Sequence, residues 1–264
     1  MAGKTMVKSI FQVLFGLAFI AKVSAGENDE LSHLTIVTEH LAPFQIVDKD
    51  SIGGLSTEIV EATVNAAGYQ YTLDVHPWSV AFKRATQQKN TCIYSLVRLP
   101  IREEQFQWIG HIVSGTSSFY ALKSRKDINI SHLEDAKSFI TAVIKDDVTH
   151  QFLLSKGFVE NHNLYASSNY DALLRLLEVP SRNIDLVIIN DDLINHRFGN
   201  TEEIHKYTNL LNIHELELDF NFACGLNTEK SIVTQLGLAM KTLEKNGSLN
   251  EIRENWRSKM IFDK

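Results

Sequence analysis

Apolar runs of strand length alternate along this chain with stretches of helical spacing, and that alternation restricts it to parallel strands joined by helical crossovers. Leu34 to Val37 reads as a short strand ending in the loop Glu39-His40-Leu41-Ala42-Pro43-Phe44. After Gly53-Gly54, the run Thr57 to Ala67 sets Val60, Val64 and Ala67 on one helical face, with Thr63 beside them, and Gly68 stops it. Tyr69, Tyr71, Leu73 and Val75 alternate as a half-buried strand up to Pro77. Trp78 to Gln87 then reads as a helix and Thr91 to Val97 as the next strand.

A second unit begins with a connecting strand, Ser118 to Lys123, and a strand over Phe139 to Ile144. Asp146-Asp147 precede a helix from Val148 to Ser155, closed by Gly157, and Ser168 with Asp171 form a capping pair for a helix reaching Leu177. Ile184 to Ile189 is almost wholly apolar, as expected for a strand covered on both faces, and ends in Asn190-Asp191-Asp192. Leu216 to Leu226 is extended again. Ile232, Leu236, Ala239, Met240 and Leu243 then follow at helical spacing, and Ser248 with Glu251 makes a capping box for a last helix through Trp256. No strand follows these two helices, so they are expected to pack back on the first unit and make it discontinuous.

At the N-terminus, Lys4 and Lys8 precede an apolar run from Ile10 to Ala21, and Val23-Ser24-Ala25 offers small residues for cleavage. This pattern is that of a secretory signal peptide over residues 1–25, with the mature chain starting at Gly26 in the periplasm. The run is short for a membrane span and holds no cysteine for a lipid. Without Lys4, Lys8 and Lys22 the formal charge moves from −6 to −9, which argues against nucleic acid or an anionic membrane surface as partner. The expected organisation is lobe 1 over 26–120 and 219–264, and lobe 2 over 121–218.

Cys92 and Cys224 are the two cysteines. In an oxidising compartment an even pair suits a disulfide, while their place in strand-like runs suits two buried thiols equally, and the sequence leaves both open.

Arg98 and Arg102 emerge four residues apart directly after the apolar run Cys92 to Val97. A guanidinium at a strand end is placed to fork onto a carboxylate or phosphate. The alternative is a surface ion pair with Glu103 or Glu104.

Six pieces, in order, carry a family resemblance: A-P-F (Ala42 to Phe44), G-G-L-S-T-E-I-V (Gly53 to Val60), P-W-S-V-A-F-K-R-A (Pro77 to Ala85), R-L-P-I-R-E-E-Q-F-Q-W (Arg98 to Trp108), N-I-D-L-V-I (Asn183 to Ile188) and L-E-K-N-G-S-L-N-E-I-R-E-N-W (Leu243 to Trp256). With these the mature chain resembles the extracytoplasmic solute-binding proteins of the polar amino-acid transporter family. The resemblance implies the type II periplasmic-binding fold: two α/β lobes, each a mainly parallel sheet flanked by helices, joined by two hinge strands and closing on a small ligand. It places Arg102 on the ligand's carboxylate, Trp78 against the ligand, and Ser95 and Val97 along the carboxylate site. Asp147 and Val148 would add backbone N–H groups at a helix start. Phe44, in the Ala42–Phe44 loop, joins the candidate ligand-binding residues.

Several residues depart from the family pattern. Asn190 stands where an aspartate usually meets the ligand's ammonium, with Asp191 one residue on, and Leu41 replaces a common aromatic. Asp146-Asp147 replace small residues, so they would repel a carboxylate or favour a cation. Arg98 is an added cation near Arg102, which points to a more anionic ligand or to an internal partner such as Glu39, and Arg98, Glu39 and His40 join the candidate ligand-binding residues. Glu39 and His40 could instead serve as acid and base of a dehydratase-like enzyme, but no nucleophile elbow or phosphate loop accompanies them.

The expectation is therefore a monomeric, non-enzymatic solute-binding protein without metal or cofactor. It would capture an amino acid or other small carboxylate and deliver it to a membrane permease, or present the closed clamp to a receptor. Replacing Arg102 would abolish binding and leave intrinsic stability almost unchanged.

Overall fold

The computed structural model describes Met1 and residues 33–49, 51–168, 170–199, 201–216 and 218–262. The expected leader, apart from Met1, lies outside the described residues, as does its cleavage point before Gly26. Among the described residues no helix is long and apolar enough to cross a membrane.

Two five-stranded sheets organise the chain. The first has the order β4 (Tyr71–Val75), β1 (Leu34–Thr38), β5 (Thr91–Val97), β12 (Leu218–Gly225), β6 (Phe106–Gly115). The second has the order β11 (Tyr207–Asn212), β7 (Ser117–Leu122), β10 (Leu186–Asn190), β8 (Thr141–Ile144), β9 (Leu164–Ser167). Strands joined by helices pair in parallel: β1 with β4 and β5, and β8 with β9 and β10. The strands entering or leaving the crossings, β6, β7, β11 and β12, pair antiparallel. Only Thr116 separates β6 from β7, and the described part of the return runs through residues 213–216. Residues 117–120, assigned to lobe 1 by the expected boundary, thus belong to the second sheet.

Helix α1 (Leu55–Ala67) packs with α6 (Lys230–Lys245) and α7 (Ser248–Phe262), while α2 (Trp78–Gln87) lies against β1, β5 and β12. Cys92 and Tyr94 of β5 join the core with Ile59, Val60 and Leu236, whereas Ile93, Leu96 and Val97 join the one containing Ala81 and Ala85. Leu96 and Val97 share a cluster because alternation breaks at Ser95, whose φ of 53° marks a bulge against Asn221–Ala223 of β12. Cys92 and Cys224 lie directly opposite on β5 and β12 and form a disulfide. In the second sheet, α3 (Val148–Ser155) and α4 (Tyr170–Leu177) contact β8, and α5 (Asp191–Phe198) contacts β10.

Six helices and strands exceed the sequence reading: the short hairpin strands Ile46–Asp48 and Ser51–Gly53, and β6, β9, β11 and α5. Strand β6 hides its alternation because the register with β12 shifts at Phe220/Asn221 and again at Phe222/Ala223, and each shift reverses which side chains face inward. The last helix begins at Ser248, one residue earlier than a Ser248 cap requires. The Ser248 amide donates to Asn246 Oδ1, 3.0 Å, and the Glu251 amide to the Gly247 carbonyl, 2.9 Å. Between Ser168 and Asp171, the other expected cap, Asn169 and the Asp171 side chain lie outside the described residues.

Candidate ligand-binding site

The strand ends of the first sheet form one wall. After β5, Pro100–Gln105 makes a 3-10 turn that sends two arginines in opposite directions. Arg102 points inward and is 3% exposed. Its Nη1 donates to the Val97 carbonyl, 3.1 Å, and its Nη2 to the Asp146 carbonyl, 3.3 Å, so two of five N–H donors are engaged. The guanidinium lies 5.5 Å from the Trp78 ring and 5.3 Å from that of Phe82. Arg98 points outward, where Nε donates to Glu103 Oε2, 2.7 Å, a second bond reaches Oε1, and the head stacks on Trp108 at 5.0 Å. It takes the surface pairing with Glu103, and Glu39 is not its partner.

The loop after β1 completes this wall. Gly54, at φ 104°, lets the loop approach the start of α1: a Cβ there would lie 2.5 Å from the Phe44 carbonyl oxygen. The Leu55 and Ser56 amides donate to the Pro43 and Phe44 carbonyls, 3.1 and 2.9 Å, so the helix start anchors the loop. Glu39 and Leu41 consequently line the cavity. Phe44 sits behind the lining, 1% exposed, with its ring 5.0 Å from that of Phe220, and supports that residue from beneath. His40 does not line the cavity; its Nδ1 accepts the Val47 amide, 3.1 Å, where the hairpin β2 (Ile46–Asp48)–β3 (Ser51–Gly53) begins.

The opposite wall comes from the turn between β8 and α3. Asp146, at φ 61°, directs its carbonyl across the cleft to both Trp78 Nε1, 3.0 Å, and Arg102 Nη2. Its amide is held from behind by Nδ1 of buried His150, 3.1 Å. Asp147 caps α3, its Oδ1 accepting the His150 amide at 2.8 Å and the Thr149 hydroxyl at 2.7 Å. The Asp147 amide is spent on the Ile144 carbonyl, 3.3 Å, and is not free for a ligand as expected; Asp147 and Val148 both line the cavity.

Eight of the residues expected from sequence, Glu39, Trp78, Ser95, Val97, Arg102, Asp147, Val148 and Asn190, meet around this space. The walls touch so closely that only about 20 Å³ is free, room for roughly one water. Asp191 is elsewhere: it accepts from the hydroxyls of Thr116 (2.7 Å), Ser118 (3.0 Å) and Tyr120 (2.9 Å), tying the start of α5 to the crossing strand. Tyr170, Ser117 and Thr149 also line the cavity and were missed from the sequence. Nothing local marks a tyrosine at a helix start or a serine opening a strand as facing a cleft.

The cavity is acidic. Burial, and then the neighbouring Asp147, push the Glu39 carboxyl well above its ordinary value, against the pull of Arg102. Burial pushes Asp147 up to about 6, opposed by the bonds from His150 and Thr149 and by Arg102. Arg102 is lowered to about 10 by burial, opposed by the two acids. Tyr170 is held neutral by burial and by both carboxyls. Among the described residues, no group of three or more His, Cys, Asp or Glu could hold a metal ion.

Both acids bind protons more tightly in the folded chain than in the unfolded one, where carboxyls titrate near roughly 4. Their contribution to stability is therefore fullest at acid pH and is lost as pH rises through the window from roughly 4 to about 6 for Asp147. Asp147→Asn keeps a capping oxygen and removes this titration. Melting temperatures measured from mildly acidic to mildly basic pH should decline less steeply for the variant than for the wild type; parallel curves would contradict the assignment.

Comparison with known proteins follows the same lines. A family profile described as "Bacterial extracellular solute-binding proteins, family 3" matches residues 34–259. No curated protein matches in sequence. Among solved structures, a histidine kinase sensor domain with similarity to periplasmic binding proteins superposes with TM-score 0.72 at 15% identity, covering 85% of this chain and 95% of that one. The arginine-, lysine-, histidine-binding protein ArtJ from Geobacillus stearothermophilus gives 0.71 at 18%, covering 88% and 96%. The amino acid ABC transporter substrate-binding protein AbpA from Streptococcus pneumoniae, bound to L-arginine, gives 0.70 at 17%, covering 87% and 96%.

Proposed function

Because the chain belongs to the bacterial extracellular solute-binding proteins, family 3, we propose that it captures a small carboxylate-bearing polar solute, an amino acid or close relative, in this cleft. The observation that carries the reading is Arg102, a buried guanidinium with spare donors facing a cavity between two sheets. In such surroundings a ligand carboxylate is bound far more strongly than in water. A solute of amino-acid size cannot enter about 20 Å³, so the sheets with their helices act as lobes that part and close again through the two crossings. The first lobe meets the solute with Arg102 and Trp78, and the second closes over it with Asp147, Val148 and Asn190. The protein works outside the cytoplasm, and residues 1–25 serve as its export signal. Delivery to an ABC permease is the primary role; presentation to a membrane receptor is the second reading, favoured by the likeness to a kinase sensor domain. Capture without turnover accords with His40, which is tied to the Val47 amide and so brings no imidazole into the cavity beside Glu39.

A thermal-shift screen over amino acids, dicarboxylates, opines and small peptides tests the reading, with emission of Trp78 as second readout. Entry of a solute breaks the bond from Trp78 to the Asp146 carbonyl, so emission should change and Trp78→Phe should remove the response. A stabilising carboxylate that leaves Trp78 emission unmoved would place the solute elsewhere, and product formation would make the protein an enzyme.

A further inference from the structure

We propose that Glu39 receives a cationic group of the solute, and that the site selects a carboxylate carrying two positive charges, a diamino or guanidino acid. This rests on the capture of a carboxylate by Arg102. Three observations lead to it. Among the described residues, no hydrogen bond or ion pair within 4.0 Å reaches the Glu39 carboxyl, although it lines the cavity. At the end of β10 the cavity is lined by Asn190, an amide and not an acid. Its Oδ1 is spent on the Asp192 and Leu193 amides, 2.9 and 3.1 Å, and Asp191 is spent on three hydroxyls. What Asn190 offers is Nδ2, a donor, 2% exposed and without a partner, which repels an ammonium and suits an acceptor.

Charge balance then sets the class. Glu39 and Asp147 face one cation, Arg102, while Tyr170 is neutral and the Asp146 carboxylate is about half exposed. A bound carboxylate neutralises Arg102 and leaves two acids in the cleft, Asp147 buried and Glu39 partly buried. Closing over them is costly unless the solute brings matching charge, since buried ions must be paired. A solute with two cationic groups and one carboxylate balances the closed cleft; a neutral zwitterion leaves one acid unpaired or protonated, and an acidic amino acid is worse. Burial first, and the neighbouring Asp147 second, raise the affinity of Glu39 for a proton.

The experiment is calorimetry and thermal shift of the full chain with L-arginine, L-lysine, L-ornithine, L-glutamine, L-glutamate, succinate and agmatine, repeated on Glu39→Gln. The expected result is binding of at least one of the three basic amino acids in preference to glutamine, glutamate and succinate. In Glu39→Gln, affinity for that amino acid should weaken about tenfold, the scale of one charge-assisted hydrogen bond, with the melting temperature of the protein alone unchanged or raised. Tighter binding of glutamine, glutamate or succinate overturns the inference and leaves carboxylate capture standing. Agmatine binding as tightly as L-arginine would retain the cation site and sink carboxylate capture. Failure of all three basic amino acids at millimolar concentration, or an unchanged affinity in Glu39→Gln, rejects the proposal.

Discussion

Arg102→Met should abolish binding of any carboxylate-bearing solute and also lower the melting temperature of the protein by itself. Removing one partner of a buried, hydrogen-bonded charge pair costs roughly 2–5 kcal/mol of binding, a loss of about thirtyfold to several thousandfold in affinity. The stability effect arises because Arg102 is the cation beside the buried Asp147 and the partly buried Glu39, and bonds the Val97 and Asp146 carbonyls on opposite walls. Loss of one partner from a buried ionic cluster typically costs about 3–5 kcal/mol. At acid pH Glu39 and Asp147 take up protons instead, so the destabilisation should be larger at pH 8 than at pH 5. Methionine keeps much of the apolar contact with Trp78 and Phe82, which separates loss of charge from loss of packing. Circular-dichroism melts at the two pH values, paired with calorimetric titration, check both parts. Retained affinity would remove Arg102 from the site. An unchanged melting temperature would restore the simpler expectation, drawn from sequence, of a purely functional arginine.

Removal of the disulfide is the second large effect. Cys92 and Cys224 are separated by 132 positions, and cross-linking so long a loop restricts the unfolded chain by about 4–5 kcal/mol on the chain-entropy account. For a domain of this size the variant Cys92→Ala/Cys224→Ala should melt about 10 °C lower. Solute affinity should change little, because both cysteines belong to the core under α1 and α6, and Cys92 lies near the start of the strand whose second half carries Ser95 and Val97. Differential scanning calorimetry of the double variant, and of the wild type with and without reductant, provides the measurement. A shift of only one or two degrees would mean that packing of β12 between β5 and β6 suffices to hold the return strand.

Helices α2 and α3 were legible in the sequence to the residue, because each starts after a proline or an aspartate and carries its own apolar spacing. Strand β6 was not, since bulges against β12 scramble its alternation, and edge strand β11 lacks an apolar face long enough to register. The candidate site divides in the same way. Arg102, Trp78, Ser95, Val97 and Asp147 follow directly on strand ends or helix starts, where the backbone pattern already says which way the chain turns. Asn190 and Asp191 are adjacent residues at one strand end, and their separation between cleft and crossing depends on hydroxyls from Thr116, Ser118 and Tyr120, more than seventy positions away.

Local pattern and a run of short motifs were therefore enough to establish the alternation of elements, the family and the arginine on which a carboxylate reading rests, because those are carried by residues near one another in the chain. The inward turn of Arg102 against the outward turn of Arg98, the pairing of Cys92 with Cys224, and the surplus of acid around one cation were decided only in three dimensions. Burial and Coulombic interaction depend on distance through space, and the groups that set them here come from segments that no sequence window brings together.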